Sequence, residues 1–138
     1  MNSIKTVLAV AALSLTAGLA LADDVKVKLT GAEEVPPTTS AATGTGTITI
    51  GADKSVSGSV KTSGVEGVAA HIHQAAAGKN GPPIITLTKG ADGAWTVPAG
   101  SMLNDAQLAA YKAGELYVNV HSAANKGGEI RAQLKPAK

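Results

Sequence analysis

No cysteine occurs anywhere in the 138 residues of the chain. That absence excludes disulfide staples, thiolate metal sites and cysteine nucleophiles. Phenylalanine is absent as well, and Trp95, Tyr111 and Tyr117 are the only aromatic side chains. There is thus no platform on which nucleic-acid bases could stack. A core must come from Val, Ile, Leu and Ala, with Trp95 as the one large filler. Charge of one sign is lacking too. The balance of 12 basic against 10 acidic residues gives a net charge of +2, and the lysines are scattered. This argues against nucleic acid or a membrane surface as partner. Long apolar runs are missing after the first 22 residues, so nothing later in the chain reads as a membrane span.

The one apolar run has the marks of a targeting signal. Met1 to Lys5 carries a single positive charge, Thr6 to Leu19 is apolar, and Ala20-Leu21-Ala22 supplies an A-x-A cleavage pattern before Asp23. Ser14, Thr16 and Gly18 interrupt the run, and it falls short of the ~20 apolar residues that a spanning helix needs. A cleaved secretory signal over residues 1–22 is therefore expected. The exported chain would be residues 23–138, a single domain. Lys5 departs with the signal, so 11 basic and 10 acidic residues remain, a net charge of +1.

Apolar residues recur with period two, the signature of half-buried strands. Val25, Val27 and Leu29 alternate with Lys26 and Lys28. Ile48 and Ile50 alternate with Thr45, Thr47 and Thr49, and Val56 and Val60 continue beyond the turn Gly51 to Lys54, which predicts a hairpin. Val68 to His73 predicts a fourth strand, Ile84 to Lys89 a fifth and Ala94 to Val97 a sixth. The segments 31–43 and 74–83 are rich in Gly, Pro, Ser, Thr or Ala and read as loops. One stretch departs from the pattern. Asn104 and Gln107 form a capping box, good helix formers fill Asp105 to Ala113, and Gly114 stands where a helix ends. Leu108 and Tyr111 would share one side of this short helix.

The last two strands are the clearest. Leu116, Val118 and Val120 form one face of Glu115 to His121, and Ile130, Ala132 and Leu134 one face of Glu129 to Leu134. Pairing Val120 with Ile130 puts His121 opposite Glu129, Asn119 opposite Arg131 and Tyr117 opposite Gln133. With the apolar stripes inward, Tyr117, Asn119, Glu129 and Arg131 face outward or into a secondary cleft and are candidate binding residues. About eight strands with frequent turns predict an all-β, antiparallel sandwich or Greek-key-like barrel with one short helix.

His71 and His73 are the sharpest local feature. In a strand, His-x-His puts both rings on one face, within reach of one ion, and neutral imidazole is a good ligand for Zn or Cu. His121 is the natural third ligand, and Glu129 is placed to orient it or to bind directly. The competing reading gives these histidines a structural task, bracing the loop that follows His73. For Glu129 and Arg131 the competing reading is an ion pair on a solvated face. Glu33 and Glu34 read as solvated loop carboxylates. No serine sits in a nucleophile elbow, and Gly44-Thr45-Gly46 lacks the strand-loop-helix context of a phosphate loop.

Three segments carry a family resemblance. They are Leu29-Thr30-Gly31-Ala32-Glu33-Glu34-Val35-Pro36-Pro37, then Ala70-His71-Ile72-His73 with Gly78-Lys79-Asn80-Gly81-Pro82. The third is Leu116-Tyr117-Val118-Asn119-Val120-His121-Ser122-Ala123-Ala124-Asn125, continuing through Gly127-Gly128-Glu129-Ile130-Arg131. Together they resemble the CHRD (chordin-type) domain, in the family's order and over nearly all of residues 23–138. Gln74 and Ala132 stand where that family commonly has Gly, and Lys126 where it commonly has Pro. The resemblance implies an all-β domain that works outside the cytoplasm, here as a stand-alone bacterial-type member.

The functional expectation is an exported, non-enzymatic binding or structural protein of the periplasm or cell envelope, or a secreted one, whose partner is an envelope protein or a small ligand. The alternative is a copper- or zinc-binding protein using His71, His73 and His121. A superoxide dismutase-like metalloenzyme is the third option. It is disfavoured because that fold family's disulfide and larger ligand set have no counterpart here.

Overall fold

The computed structural model describes residues 22–136. The expected signal segment, residues 1–22, lies outside them apart from Ala22. No helix among the described residues is long and apolar enough to cross a membrane.

Nine strands form one antiparallel sheet. In chain order they are β1 (Asp23–Thr30), β2 (Thr43–Ile50), β3 (Val56–Ser63), β4 (Gly67–Gln74), β5 (Pro83–Thr86), β6 (Thr88–Lys89), β7 (Ala94–Thr96), β8 (Leu116–Ser122) and β9 (Ile130–Leu134). Their spatial order is β5-β4-β8-β9-β1-β2-β3-β7-β6. The sheet curls until its two edge strands meet at one stretch of chain. β5 pairs with β4 at one edge, β6 pairs with β7 at the other, and Leu87 alone separates them. Leu87 turns inward, 4 % exposed, and donates its N–H to the Ala70 carbonyl at 2.9 Å. The run Ile84 to Lys89, which reads as a single strand, is therefore shared between both edges. That is why nine strands appear where about eight are expected.

The inner wall follows the period-two pattern. Val25, Val27 and Leu29 from β1, Ala70 and Ile72 from β4, and Leu116, Val118 and Val120 from β8 are all buried in one apolar cluster, and Trp95 joins them at 3 % exposure. The β2–β3 hairpin pairs Ile50 with Val56 across the Gly51–Lys54 turn. The helix α1 (Asp105–Lys112) starts at the capping box. Gln107 N–H donates to Asn104 Oδ1 at 2.7 Å, and Asn104 N–H donates to Gln107 Oε1 at 2.8 Å. It ends before Gly114, whose φ of 76° favours a residue without a side chain. Tyr111 and Leu108 pack toward the core as the spacing implies.

The reading of Glu129 and Arg131 as residues of a solvated face fails. The outer face of β8 and β9 is polar, but it is not solvated. Tyr117, Asn119 and Arg131 are each 2 % exposed, and Glu129 is 8 % exposed. The loops 31–42 and 75–82 fold over this face and form a second layer outside the barrel wall. Alternation fixes which wall a side chain occupies. It carries no information on what lies above that wall.

Candidate metal centre

β4 and β8 are neighbours, paired so that Ala69 faces His121, His71 faces Asn119 and His73 faces Tyr117. Odd-numbered residues of both strands share the outer wall, so His71, His73 and His121 meet around Asn119. Small Ala69 opposite His121 leaves room for the rings to converge. One nitrogen from each of the three rings lies within 4.8 Å of the others. His71 Nδ1 and His121 Nε2 are 3.1 Å apart. Nitrogens bound tetrahedrally to one ion at 2.0–2.1 Å lie roughly 3.4 Å apart, so this pair already has the spacing of two ligands.

Backbone carbonyls fix the tautomers of two rings. His73 Nδ1 is 2.8 Å from the Gly81 carbonyl, and His121 Nδ1 is 2.8 Å from the Lys126 carbonyl. A carbonyl oxygen only accepts, so each Nδ1 carries the proton, and the neutral ring presents a bare Nε2. His73 Nε2 is buried and has no hydrogen-bond partner. His121 Nε2 accepts from His71 Nδ1–H. Burial lowers the pKa of His71, and the nearby His121 and His73 rings add to it. Burial likewise lowers that of His73, against the Gly81 hydrogen bond, with His121 and Arg131 acting in the same direction as burial. Both rings are thus held neutral, and ligation through His71 Nδ1 requires its proton to move to Nε2.

A stacked column stands beside the rings. His73 lies on Tyr117 with centroids 4.8 Å apart and planes within 2°. The Arg131 guanidinium lies 3.4 Å from the Tyr117 ring centre. Since β8 runs between β4 and β9, Tyr117 is held between a histidine and an arginine. Its hydroxyl accepts the Gly81 N–H at 3.1 Å. Arg131 donates to the Lys79 carbonyl at 2.6 Å and to Asn80 Oδ1 at 3.2 Å, and Asn80 donates to the Val35 carbonyl at 2.8 Å. The 75–82 loop is therefore fastened to the column at its Gly81 end and to the 31–42 loop at Asn80.

Asn119 occupies the middle of the wall. It faces Arg131 across β9, as the register reading requires. The two side chains do not pair with each other, because Asn119 hydrogen-bonds the Glu34 carboxyl. Glu34 comes from the loop and is 3 % exposed. Burial pushes its pKa up to about 7, against the opposing pull of Asn119 and Arg131. Gly128, at φ 126°, makes this meeting possible. A Cβ there would collide with Glu34 Oε2 and come within 2.5 Å of Asn119 Nδ2. Asn119 Oδ1 is buried without a partner.

Two readings of the residues are corrected here. Glu129 does not support His121. Its carboxylate accepts from Ser122 Oγ at 2.6 Å, Ser40 Oγ at 2.7 Å and Asn125 Nδ2 at 3.3 Å, and these bonds hold its pKa below the usual range. It knots the 123–128 turn to the 31–42 loop, and the Lys126 carbonyl supports His121 instead. Nor is Glu129 paired with Arg131 as an ion pair. Of the two adjacent acids, Glu33 is exposed as expected, but Glu34 is buried in the network. The carbonyls of Gly81 and Lys126 are the other contributors that sequence reasoning misses. A backbone carbonyl has no residue-type signal, and only the proximity of the 74–83 loop to His73 hints at one of them.

Residues 25–134 match the family model of the CHRD domain. Searches of curated proteins and of solved structures return no match.

Proposed function

We propose that this chain, which belongs to the CHRD-domain family, is an exported, non-enzymatic binding protein whose ligand is a zinc or copper ion held by His71, His73 and His121. The observation that carries the reading is His73 Nε2. It is a buried lone pair, its tautomer fixed by Gly81, aimed at no donor and near two further imidazole nitrogens. Leaving such an acceptor unpaired costs about 1–3 kcal/mol, and a metal ion removes that cost. The carbonyl braces on His73 and His121 are the kind that orient metal-bound imidazoles. Nitrogen ligands without sulfur or carboxylate suit Zn and Cu. Export rests on the sequence pattern of residues 1–22.

Calorimetric titration of the purified protein with Zn and with Cu(II) above pH 7, where the rings are neutral, tests the reading. One equivalent should bind, and His73→Ala should abolish binding at that stoichiometry. No stoichiometric binding of either metal by the wild-type protein would end the idea.

A further inference from the structure

We infer that the carboxamide oxygen of Asn119 is a fourth donor to the three-histidine site, making it a three-nitrogen, one-oxygen centre. The inference rests on the metal reading of His71, His73 and His121, and it adds a residue whose type does not suggest a ligand.

Position comes first. Asn119 sits directly across from His71 on β4, two residues before His121 on its own strand, and diagonal to His73. All four side chains leave the same wall of the sheet. Asn119 is therefore surrounded by the three rings that the site needs.

Orientation comes second. Glu34 takes one end of the carboxamide by hydrogen bonding, with Nδ2 packed over Gly128 beside Glu34 Oε2. With the nitrogen turned to the carboxyl, the oxygen points to the other side. His73 is diagonal to Asn119 on the β4–β8 ladder and shares its wall.

Electrostatics come third. His73 Nε2 and Asn119 Oδ1 are the two buried side-chain atoms without a hydrogen-bond partner among the described residues. Both are acceptors, and they belong to neighbouring side chains. Two buried acceptors on neighbouring side chains, each without a donor, are an unfavourable arrangement. A cation satisfies both at once. The positive Arg131 does not fill the gap. Its donors are committed to Lys79 and Asn80, and its flat face lies on Tyr117.

A donor set of three imidazoles and one amide oxygen contains no soft atom. It suits Zn(II), Co(II) and Cu(II), and it offers Cu(I) none of the sulfur ligands that this ion favours.

Co(II) and Zn(II) serve as probes, with wild type, Asn119→Ala and Asn119→Asp. Wild type should bind one equivalent of Co(II) with the intense visible absorption of a four-coordinate ion. In Asn119→Ala the Zn dissociation constant should rise by roughly 10–100-fold. At saturating Co(II) its visible bands should shift and weaken as water replaces the amide. A merely structural role for Asn119 would leave the saturated spectrum as in wild type. Asn119→Asp keeps an oxygen in place with the same side-chain size. It should retain the wild-type Co(II) bands and bind Zn at least as tightly, which also covers the case in which the alanine variant does not fold. Wild-type affinity and an unchanged spectrum in Asn119→Ala would overturn the inference and leave the three-histidine reading standing. Weaker Zn binding by Asn119→Asp than by wild type would overturn it as well. Failure of wild type to bind either ion would overturn both.

Discussion

Glu34 shows how much one residue's surroundings outweigh its type. A carboxyl beside Val35-Pro36-Pro37 in a polar loop has every sequence mark of a solvated group. Yet the loop carries it into the second layer, and burial raises its pKa from 4.5 to about 7. The folded state then holds the proton more tightly than the unfolded chain does. The resulting stabilisation is complete below pH 4.5 and is lost as pH rises toward 7. His71 and His73 act in the opposite direction. Their pKa values are lowered in the fold, so their contribution is present above the ordinary imidazole value of about 6.5 and is lost as pH falls below it. Glu34→Gln isolates the carboxyl, because wild type and variant share the histidines. Between pH 4.5 and 8 the variant should gain on the order of 2 kcal/mol relative to wild type, each pKa unit being worth about 1.4 kcal/mol. Urea unfolding at several pH values would measure this. A stability difference that does not change with pH would show that Glu34 is ionised in the fold at no cost.

Elements were legible wherever period or capping chemistry states its own case. The Asn104/Gln107 box marks the start of α1, and both reciprocal bonds form. Lys54 adds an ion pair to Asp105 at 2.8 Å, but the Asp105 carboxylate is almost fully exposed, so the cap is the stronger contribution. Asn104→Ala should therefore destabilise the protein by about 1 kcal/mol, and Asp105→Ala by less. Thermal unfolding of the two variants would rank them, and the reverse order would assign the helix start to the ion pair. The β8–β9 register followed the pairing of Val120 with Ile130, one of the registers that put both apolar stripes on one wall. The same logic located the three histidines on a common face. It stopped at the cover. Which loop lies over Asn119 and Arg131 depends on backbone carbonyls at Lys79 and Gly81 and on a glycine at position 128, and none of these has a periodic signature. The break of Ile84 to Lys89 at Leu87 was hidden for a related reason. A strand that serves two edges has the same alternation as a strand that serves one.

At the scale of the molecule, the proposed metal site and the apolar core are separate structures sharing one wall. The ligands come from adjacent strands, β4 and β8, on the outside of a barrel whose interior is filled independently by Val, Ile, Leu and Trp95. An ion bound there would therefore not hold the barrel closed. Closure belongs to Leu87 and to the strand pairings around the sheet. This distinguishes the protein from small domains that unfold without their zinc. Treatment with a chelator should leave far-ultraviolet circular dichroism and cooperative unfolding intact. The ion should still add stability, because it binds the folded arrangement of rings and not the unfolded chain. At a free zinc concentration of 100 times the dissociation constant the gain is about 2.7 kcal/mol. For a domain of this size that corresponds to a rise in Tm on the order of 10 °C. The same excess of zinc should leave the Tm of His73→Ala unmoved. A bound ion would also bear on two loops, through the Gly81 and Lys126 carbonyls that brace His73 and His121. Amide exchange should accordingly slow within 75–82 and 123–128 when zinc is added, more than in β2 and β3 on the far side of the barrel. Uniform slowing across all strands would instead tie the ion to the closure of the whole sheet.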